Sequence, residues 1–197
     1  MILALDCSTS VGSVALVQSD ETICESFIET PRGRGGALFS TLEKTLRQAP
    51  EIHRVVVGLG PGSYNGIRSA LAVGWGIARA RGVPLIGICS LLGLGEGAYD
   101  ATGDARRGHF YYARVRAGRL VEQPLLLDRA GLLAAVEPGM PVFVPAPLDF
   151  LPQAITQSPS AARLCRFAAT FEPHTEIPEP LYLKPAHITT PVGVVRK

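Results

Sequence analysis

The sequence contains little charge for its length and has no long hydrophobic run. Charged residues make up 18% of its 197 residues, apolar residues make up 47%, and 19 Lys+Arg against 17 Asp+Glu give a formal net charge of +2. This composition excludes an intrinsically disordered chain, which combines low hydrophobicity with high net charge. It also argues against a protein that coats nucleic acids, since that role requires a strong basic excess. The apolar excess has two explanations, an unusually large core or a surface that a partner covers.

Cysteine is scarce, and its spacing argues against two classes of small scaffold. The four cysteines form no C-x-x-C pair, so we expect neither a disulfide-rich secreted domain nor a zinc ribbon. The most apolar stretch, residues 70–94, is interrupted by Arg79, Arg81 and Pro84, which predicts no membrane-spanning helix. The run Met1–Asp6 lacks the basic leader of a secretory signal. We therefore expect a cytoplasmic protein with free thiols.

The residue spacings of several common catalytic sites are also missing. The histidines show no H-x-x-x-H or H-E-x-x-H pattern, which argues against a dedicated zinc site. The sequence contains no G-x-S-x-G elbow of a serine hydrolase. It also lacks the clustered carboxylates that a two-metal nuclease requires. These absences predict that the chain holds no metal ion.

Periodic hydrophobic segments predict an α/β fold whose first half is regular. Three short strands precede a helix, and a strand, a second helix and another strand follow. This order matches the ribonuclease-H-like topology of a mixed sheet. The predicted strands are residues 2–6, 13–17, 22–28, 54–59 and 84–89, and the predicted helices are residues 37–48 and 65–81.

The second half of the sequence is less regular. We predict strands at residues 108–116 and 120–127, and a helix at residues 160–171. The many prolines from Pro173 onward predict an extended tail on the surface. Polar and glycine residues interrupt the apolar pattern near residues 98–105, which we interpret as a boundary. The predicted domains are residues 1–100 and a smaller unit at residues 101–197.

Two segments rich in small residues are candidates for a phosphate site. In Asp6–Ser10, a carboxylate and hydroxyls in a tight turn could hold a metal-bound phosphate, although a strand-ending Asp with a Ser/Thr turn is also common. In Gly58–Gly66, glycines before a helix could let an anion approach the helix N-terminus. The same glycines also suit a tight connection between strand and helix. The candidate residues are Asp6, Ser8, Thr9, Ser10, Gly60, Gly62 and Ser63.

The segment from Ile52 to Gly95 contains no acidic residue but several arginines. This favours an anionic ligand or an acidic partner, or it reflects arginines that solubilise an apolar region. The predicted helix at residues 65–81 has hardly any polar face, so it is buried in a core or against another subunit. Small residues recur at every fourth position and would allow close helix packing: Ala70, Gly74 and Ala78.

Four blocks occur in one order along the chain: Ile2–Ser10, Gly60–Arg68, Asp104–Gly108 and Pro180–Pro185. Together they resemble the TsaB (YeaZ) family over almost the whole sequence. The resemblance implies an actin/Hsp70/sugar-kinase-like superfold with two ribonuclease-H-like lobes of mixed sheets, the second lobe being reduced. It also implies a non-catalytic scaffold subunit of the cytoplasmic complex that transfers threonylcarbamoyl to N6 of adenosine 37 in tRNAs reading ANN codons.

The resemblance also implies the partners of the chain. The catalytic paralogue TsaD would bind the two first-lobe helices, the ATPase TsaE would dock on that pair, and tRNA would be reached only through the complex. Apart from the resemblance, a homodimer through the same helices could form when the partner is absent, since it would hide the same apolar surface, and we expect no membrane to be involved. The residues predicted at this surface are Leu38, Leu42, Leu46, Ile67, Arg68, Leu71, Gly74, Trp75 and Ala78.

Two departures from the catalytic paralogue fit an accessory role. Pro31–Leu38, where metal-binding histidines would lie, contains no histidine. Val142–Pro147 carries prolines where nucleotide-binding relatives have a glycine loop, and proline lacks a backbone donor. We expect no catalysis, no resident cofactor and at most weak binding of ATP or ADP. The alternative is an independent small-molecule kinase or ATPase of the same superfold, with Asp6, Ser8–Ser10 and Gly60–Gly62 holding the phosphates.

Overall fold

The computed structural model describes residues 1–29, 36–49 and 51–183, which form two mixed sheets with helices. The first sheet has the order β3-β2-β1-β4-β5. Strands β1 to β3 are antiparallel, whereas β4 and β5 run parallel to β1. Helix α1 follows β3, and helix α2 joins β4 to β5. The bounds are β1 Ile2–Asp6, β2 Val11–Gln18, β3 Glu21–Glu29, α1 Gly36–Arg47, β4 Arg54–Gly58, α2 Tyr64–Arg81 and β5 Leu85–Ile88.

The second sheet repeats the strand arrangement of the first. Strand β6 pairs antiparallel with β7 and parallel with β10, which pairs parallel with β11. Both β8 and β9 pair with β7, and helix α3 follows β9 as α1 follows β3. Within the described residues 145–154, no helix joins β10 to β11, so the second unit is the smaller one. The bounds are β6 Tyr99–Asp104, β7 His109–Arg116, β8 Arg119–Leu120, β9 Leu125–Asp128, α3 Arg129–Ala135, β10 Val142–Val144, β11 Ile155–Thr156 and α4 Ala161–Cys165.

The predicted α/β class, with two mixed sheets of ribonuclease-H-like order, is confirmed. Every strand and helix expected in the first half is present, with ends that differ by at most two residues. The second half differs more. The strand predicted at residues 120–127 is divided into β8 and β9, and the helix predicted at residues 160–171 consists of α4 and a 3₁₀ turn at Ala168–Thr170.

The residues near 98–105, whose interrupted apolar pattern predicted no strand, contain β6, which belongs to the second sheet, and the domain boundary predicted there stays a prediction. Asp100 is fully buried in β6 because Arg114 on β7 pairs with both of its oxygens, at 2.7 and 3.0 Å, and the backbone N–H of Glu137 donates to it. Gly103 leaves room for the ring of Tyr111, which would lie 2.3 Å from an added Cβ. Tertiary partners therefore allow polar and small residues in a buried strand.

Both faces of the first sheet are buried by other parts of the same chain. On one face, α1 and α2 pack through residues such as Leu42 and Ile67. On the other face, α4 and the 3₁₀ turn Ser90–Gly93 form one hydrophobic cluster with residues of both sheets, including Tyr99. A sheet covered on both faces requires nearly continuous apolar strands, as in β1 and β4. The apolar excess is therefore mostly accounted for by the chain's own core.

The described part of the proline-rich tail is extended and largely exposed, as predicted. It runs beside β5, the outer strand of the first sheet. The N–H of His174 donates to the carbonyl of Leu85 at 2.9 Å, and the N–H of Leu181 donates to the carbonyl of Leu59 at 2.8 Å. The tail thus satisfies backbone groups that an outer strand leaves open. Two predictions concern residues outside the described part of the chain: that Pro31–Gly35 belongs to a segment without metal ligands, and that the tail is extended beyond Leu183.

None of the helices in the described part of the chain is long and apolar enough to cross a membrane.

Candidate functional site

A cleft of about 950 Å³ opens between the two sheets. One wall contains the turn Ser8–Ser10 and the residues Gly62–Asn65, and the other contains the turn 104–108 and residues 145–150. Because the two sheets share one strand order, the β1–β2 turn is equivalent to the β6–β7 turn. The segment after β4 is likewise equivalent to the segment after β10. The predicted phosphate residues Ser8, Thr9, Ser10, Gly62 and Ser63 all line this cleft.

Asp6 ends β1 directly behind the cleft, but its carboxyl group is sealed from solvent. Its exposed fraction is 0%, and Oδ1 accepts hydrogen bonds from the N–H and the hydroxyl of Ser8 at 2.9 and 2.7 Å. Oδ2 makes no hydrogen bond of acceptable geometry and faces Gly58 and Ser90. Burial raises the pKa of Asp6, and the nearby hydroxyl of Ser90 and the hydrogen bonds from Ser8 oppose that rise only in part. This carboxyl group cannot reach a metal ion in the cleft.

The backbone donors of the glycine loop are largely used within the chain. The N–H of Gly60 donates to Ser90 Oγ at 2.9 Å, and the N–H of Ser63 donates to the carbonyl of Ser8 at 2.6 Å. Ser63 caps α2 by accepting from the N–H of Gly66. An added Cβ on Gly62 would lie 1.9 Å from the carbonyl oxygen of Ser8, so glycine is required for close backbone packing. The geometry favours the tight strand-to-helix connection, and the phosphate site stays a prediction with few free donors.

The turn of the second hairpin carries two arginines in a left-handed backbone conformation. Arg106 has a φ of 67° and Arg107 a φ of 57°, values that L-residues other than Gly, Asn and Asp rarely adopt. Asp104 stabilises the turn, since its carboxylate accepts the N–H of Arg106 at 2.6 Å and pairs with the Arg106 guanidinium at 3.1 Å. The segment Asp104–Gly108 is one of the four blocks that resemble the family, but residue patterns alone do not show that it faces the cleft.

Aromatic side chains with an arginine beside them stand on both walls of the cleft. On the first wall, Tyr64 lines the cleft, and two residues next to the lining contact it: the guanidinium of Arg68 lies 5.1 Å from its ring centroid and donates to its hydroxyl, and Tyr182 stacks on it with centroids 5.2 Å apart. On the second wall, the Arg129 guanidinium lies 4.6 Å from the ring centroid of Phe150, which contacts Phe110 edge to face. Sequence reasoning missed these groups because their members lie far apart along the chain.

The helices predicted as a partner surface use most of the named residues in the chain's own core. Gly74 faces the sheet, since an added Cβ would lie 2.5 Å from Val57, so the stripe of small residues brings α2 close to β4. Leu46 and Trp75 are half-buried, and Arg68 is exposed. The prediction that nine residues contact a partner must be corrected for six of them, which are buried within the chain: Leu38, Leu42, Ile67, Leu71, Gly74 and Ala78.

The outer faces of the same two helices remain open to solvent. Phe39 on α1 is 60% exposed. Along α2, the exposed residues Ala72, Gly76 and Ala80 form a second stripe of small side chains one face away from the buried one. The helix carries Arg68, Arg79 and Arg81 and no acidic residue. The surface that a partner would meet is therefore mildly apolar and basic, and it differs from the residues that helical periodicity indicated.

Among residues 1–29, 36–49 and 51–183, no three His, Cys, Asp or Glu side chains are grouped as metal ligands. All four cysteines are free thiols, and burial raises the pKa of Cys7, Cys89 and Cys165 to about 12. These three thiols are protonated at neutral pH and are poor nucleophiles.

The chain is similar to proteins that are named for tRNA modification. A family model described as TsaD, tRNA N6-adenosine threonylcarbamoyltransferase, matches residues 37–130. The tRNA threonylcarbamoyladenosine biosynthesis protein TsaB of Escherichia coli is 31% identical over 124 residues, covering 57% of this chain and 53% of that protein. TsaB of Bacillus subtilis is 28% identical over 120 residues, covering 56% and 52%. The chain spans about half the length of the curated relatives it matches.

A solved structure from Pseudomonas aeruginosa, described as similar to peptidase YeaZ, has the same fold. It superposes with a TM-score of 0.77 at 24% identity, covering 93% of this chain and 99% of that one. A second structure, YeaZ from the same organism, gives a TM-score of 0.71. At this identity, the likeness supports the fold alone.

Proposed function

We propose that this chain, which belongs to the TsaB/YeaZ family, is an accessory subunit in the synthesis of threonylcarbamoyladenosine at position 37 of tRNA. The proposal assigns it no catalysis of its own. It rests on the family and on one observation, the sealed carboxyl group of Asp6, which is the acidic side chain that ends β1 at the cleft. The carboxyl group that ends β1 is therefore closed to a magnesium nucleotide, and the carboxylates that line the cleft are Asp104, which is paired with Arg106, and Asp149.

The partner we propose is the catalytic paralogue TsaD, whose family model also matches part of this chain. The supporting surface is the outer face of α1 and α2, with the exposed Phe39, Ala72 and Gly76. Small residues allow a second pair of helices to approach closely, and an exposed aromatic ring gains from burial. The ATPase TsaE and tRNA would then join the pair, and the isolated chain would form a homodimer through the same face. We place this complex in the cytoplasm.

The experiment is co-purification of the chain with TsaD from the same organism, for wild type and for Ala72→Glu. Ala72 is exposed, so the variant should fold normally while placing a charge in the proposed contact. Leu133→Glu is the matched control, since Leu133 is 46% exposed on α3, away from this face. We expect Ala72→Glu to lose TsaD and the control to retain it. Retention of TsaD by Ala72→Glu at wild-type level would show that this face is not the interface.

Leu71→Asp is unsuitable for this purpose because Leu71 is only 3% exposed within the core. A charge at that position would unfold the chain whether or not it contacts a partner.

The independent kinase or ATPase has no specific support from the geometry of the cleft. Calorimetry with ATP and Mg²⁺ on the isolated chain separates the two functions. We expect no micromolar binding and no turnover, and observing both would replace the accessory role with the kinase.

A further inference from the structure

We propose that the cleft between the two sheets binds a short single-stranded stretch of RNA, so that this subunit contacts the tRNA directly. The inference rests on the proposed function, because the RNA in question is the tRNA that the complex modifies. It is carried by the two aromatic groups with arginines on opposite walls, Arg68–Tyr64–Tyr182 and Arg129–Phe150–Phe110. None of these residues belongs to the partner surface on α1 and α2 except Arg68.

Partly exposed rings beside guanidinium groups are the chemistry that recognises unstacked bases. Single-stranded RNA is bound by stacking bases on aromatic rings or arginine planes, while neighbouring cations meet the phosphates. Tyr64 is 42% and Tyr182 45% exposed, although their stacking against each other already buries part of each ring. Large exposed rings at the mouth of a cleft are therefore available to a ligand that stacks.

The charges of the cleft support an anionic ligand of modest charge. Its lining includes Arg106 and Arg129 with Asp104 and Asp149, so these four cancel. Asp104 is engaged by Arg106 in the turn. Arg68 contacts the lining residue Tyr64, and Arg107 lies within the turn 104–108, so these are the two cations that phosphates would meet, while Glu179 lies near Tyr182. Two phosphate contacts would give a salt dependence of about −1.4 in log K against log salt for a single strand, since each contributes about −0.7.

Two other ligand classes fit the cleft less well. A magnesium nucleotide would use the carboxyl group and the loop donors of the first wall, whereas Asp6 is sealed and the N–H groups of Gly60 and Ser63 are taken. An acidic peptide would be satisfied by the arginines but has no use for the aromatic rings beside them. RNA uses both features.

The test measures binding of a fluorescent anticodon stem-loop RNA by anisotropy, with the full chain alone and in its complex with TsaD. The variants are Tyr182→Ala and Arg107→Ala, with Tyr182→Phe as the conservative partner of the first. Matched controls remove an equally exposed ring or cation elsewhere: Phe27→Ala, where Phe27 is 52% exposed on β3, and Arg119→Ala on β8. ATP with Mg²⁺ and an acidic peptide serve as competitors.

We expect Tyr182→Ala to weaken RNA binding by about five- to 150-fold, the range measured for loss of one stacked base, and Tyr182→Phe to retain it. Arg107→Ala should weaken binding and reduce the salt slope by about 0.7. Both controls should bind as wild type. Thermal unfolding of every variant confirms that the fold is intact.

The proposal is overturned if Tyr182→Ala and Arg107→Ala bind RNA like the controls, or if the acidic peptide or ATP displaces RNA from the cleft at micromolar concentration. The result is distinguishable from failure of the proposed function. If the variants leave RNA binding unchanged while the wild-type complex still forms and modifies tRNA, the accessory role stands and only the cleft is wrong. If the wild-type chain neither binds TsaD nor supports modification, the proposed function itself fails.

Discussion

Replacing Asp6 with asparagine should change how the stability of the protein depends on pH. The pKa of the Asp6 carboxyl is raised in the folded protein because the group is fully buried. Between the unfolded pKa of 3.8 and the folded pKa, the folded state therefore binds more protons than the unfolded state. Under this condition the free energy of unfolding falls as pH rises, by about 1.4 kcal/mol for each pH unit at 25 °C. An asparagine side chain does not titrate, so the Asp6→Asn variant lacks this contribution.

The structure also gives the reason why the variant should fold. Asparagine has nearly the same shape, and its carbonyl oxygen can accept the two hydrogen bonds that Ser8 donates to Oδ1. Its amide would donate toward Ser90, where Oδ2 now lacks a well-formed bond. A second amide hydrogen without an acceptor costs about 1–3 kcal/mol, but this penalty is independent of pH. The prediction therefore concerns how the difference in unfolding free energy between variant and wild type changes with pH. The size of that difference at any single pH does not test it.

Urea denaturation of both proteins at pH 4.5, 5.5 and 6.5 measures this slope. We expect the stability of the variant relative to wild type to increase with pH as long as the folded carboxyl group stays protonated while the unfolded one is ionised, with a slope of at most about 1.4 kcal/mol for each pH unit. Asp100 does not interfere, because its pKa is lowered by Arg114 against the opposing effect of burial, and its contribution is lost only at lower pH in both proteins. A difference that stays constant across the three pH values would refute the assignment of a raised pKa to Asp6.

Two further predictions concern glycine and cysteine positions. Gly58→Ala should destabilise the protein by about 3 kcal/mol or more, since an added Cβ would lie 1.8 Å from Asp6 Oδ2. Gly76→Ala should stabilise it by about 0.8 kcal/mol, because nothing lies within 4 Å of the added Cβ and alanine favours the helix. Thermal unfolding of both variants measures these changes, and equal effects would contradict the packing described. Iodoacetamide at pH 8 should label the half-buried Cys24 in the native protein. Cys7, Cys89 and Cys165 should be labelled only after unfolding, because burial raises the pKa of these three thiols to about 12. Mass spectrometry of the labelled peptides checks this prediction, and labelling of Cys89 in the native protein would contradict it.

Residue patterns predicted the first sheet well because burial on its faces leaves a direct mark on the sequence. Strands β1 and β4 are apolar at nearly every position, and α1 repeats leucine at the spacing of one helical face. Strand β6 was missed because its polar residues are satisfied from elsewhere in the chain. The pairing of Asp100 with Arg114 joins residues 14 positions apart on two strands, and no local pattern announces it.

The site was harder to predict than the fold for a physical reason. A helix that is apolar on most sides can be buried by its own sheet or by another protein, and periodicity does not distinguish the two. In α2, Ile67, Leu71 and Gly74 are buried within the chain. Only the less apolar face, with Ala72 and Gly76, is exposed to solvent. The aromatic pairs of the cleft are assembled from separate segments, as with Tyr64 and Tyr182, and become visible only in three dimensions.

The repeated topology shows how one chain can keep a cleft and change its chemistry. The β1–β2 turn and the β6–β7 turn occupy equivalent places, and each follows a strand that ends in aspartate. In the first, Asp6 turns inward and is sealed by Ser8, which leaves a turn of small hydroxyl residues at the cleft. In the second, Asp104 stays at the surface and holds Arg106 and Arg107 in a left-handed turn. One aspartate thus supports the fold from the interior, and the other holds a surface turn that carries two arginines.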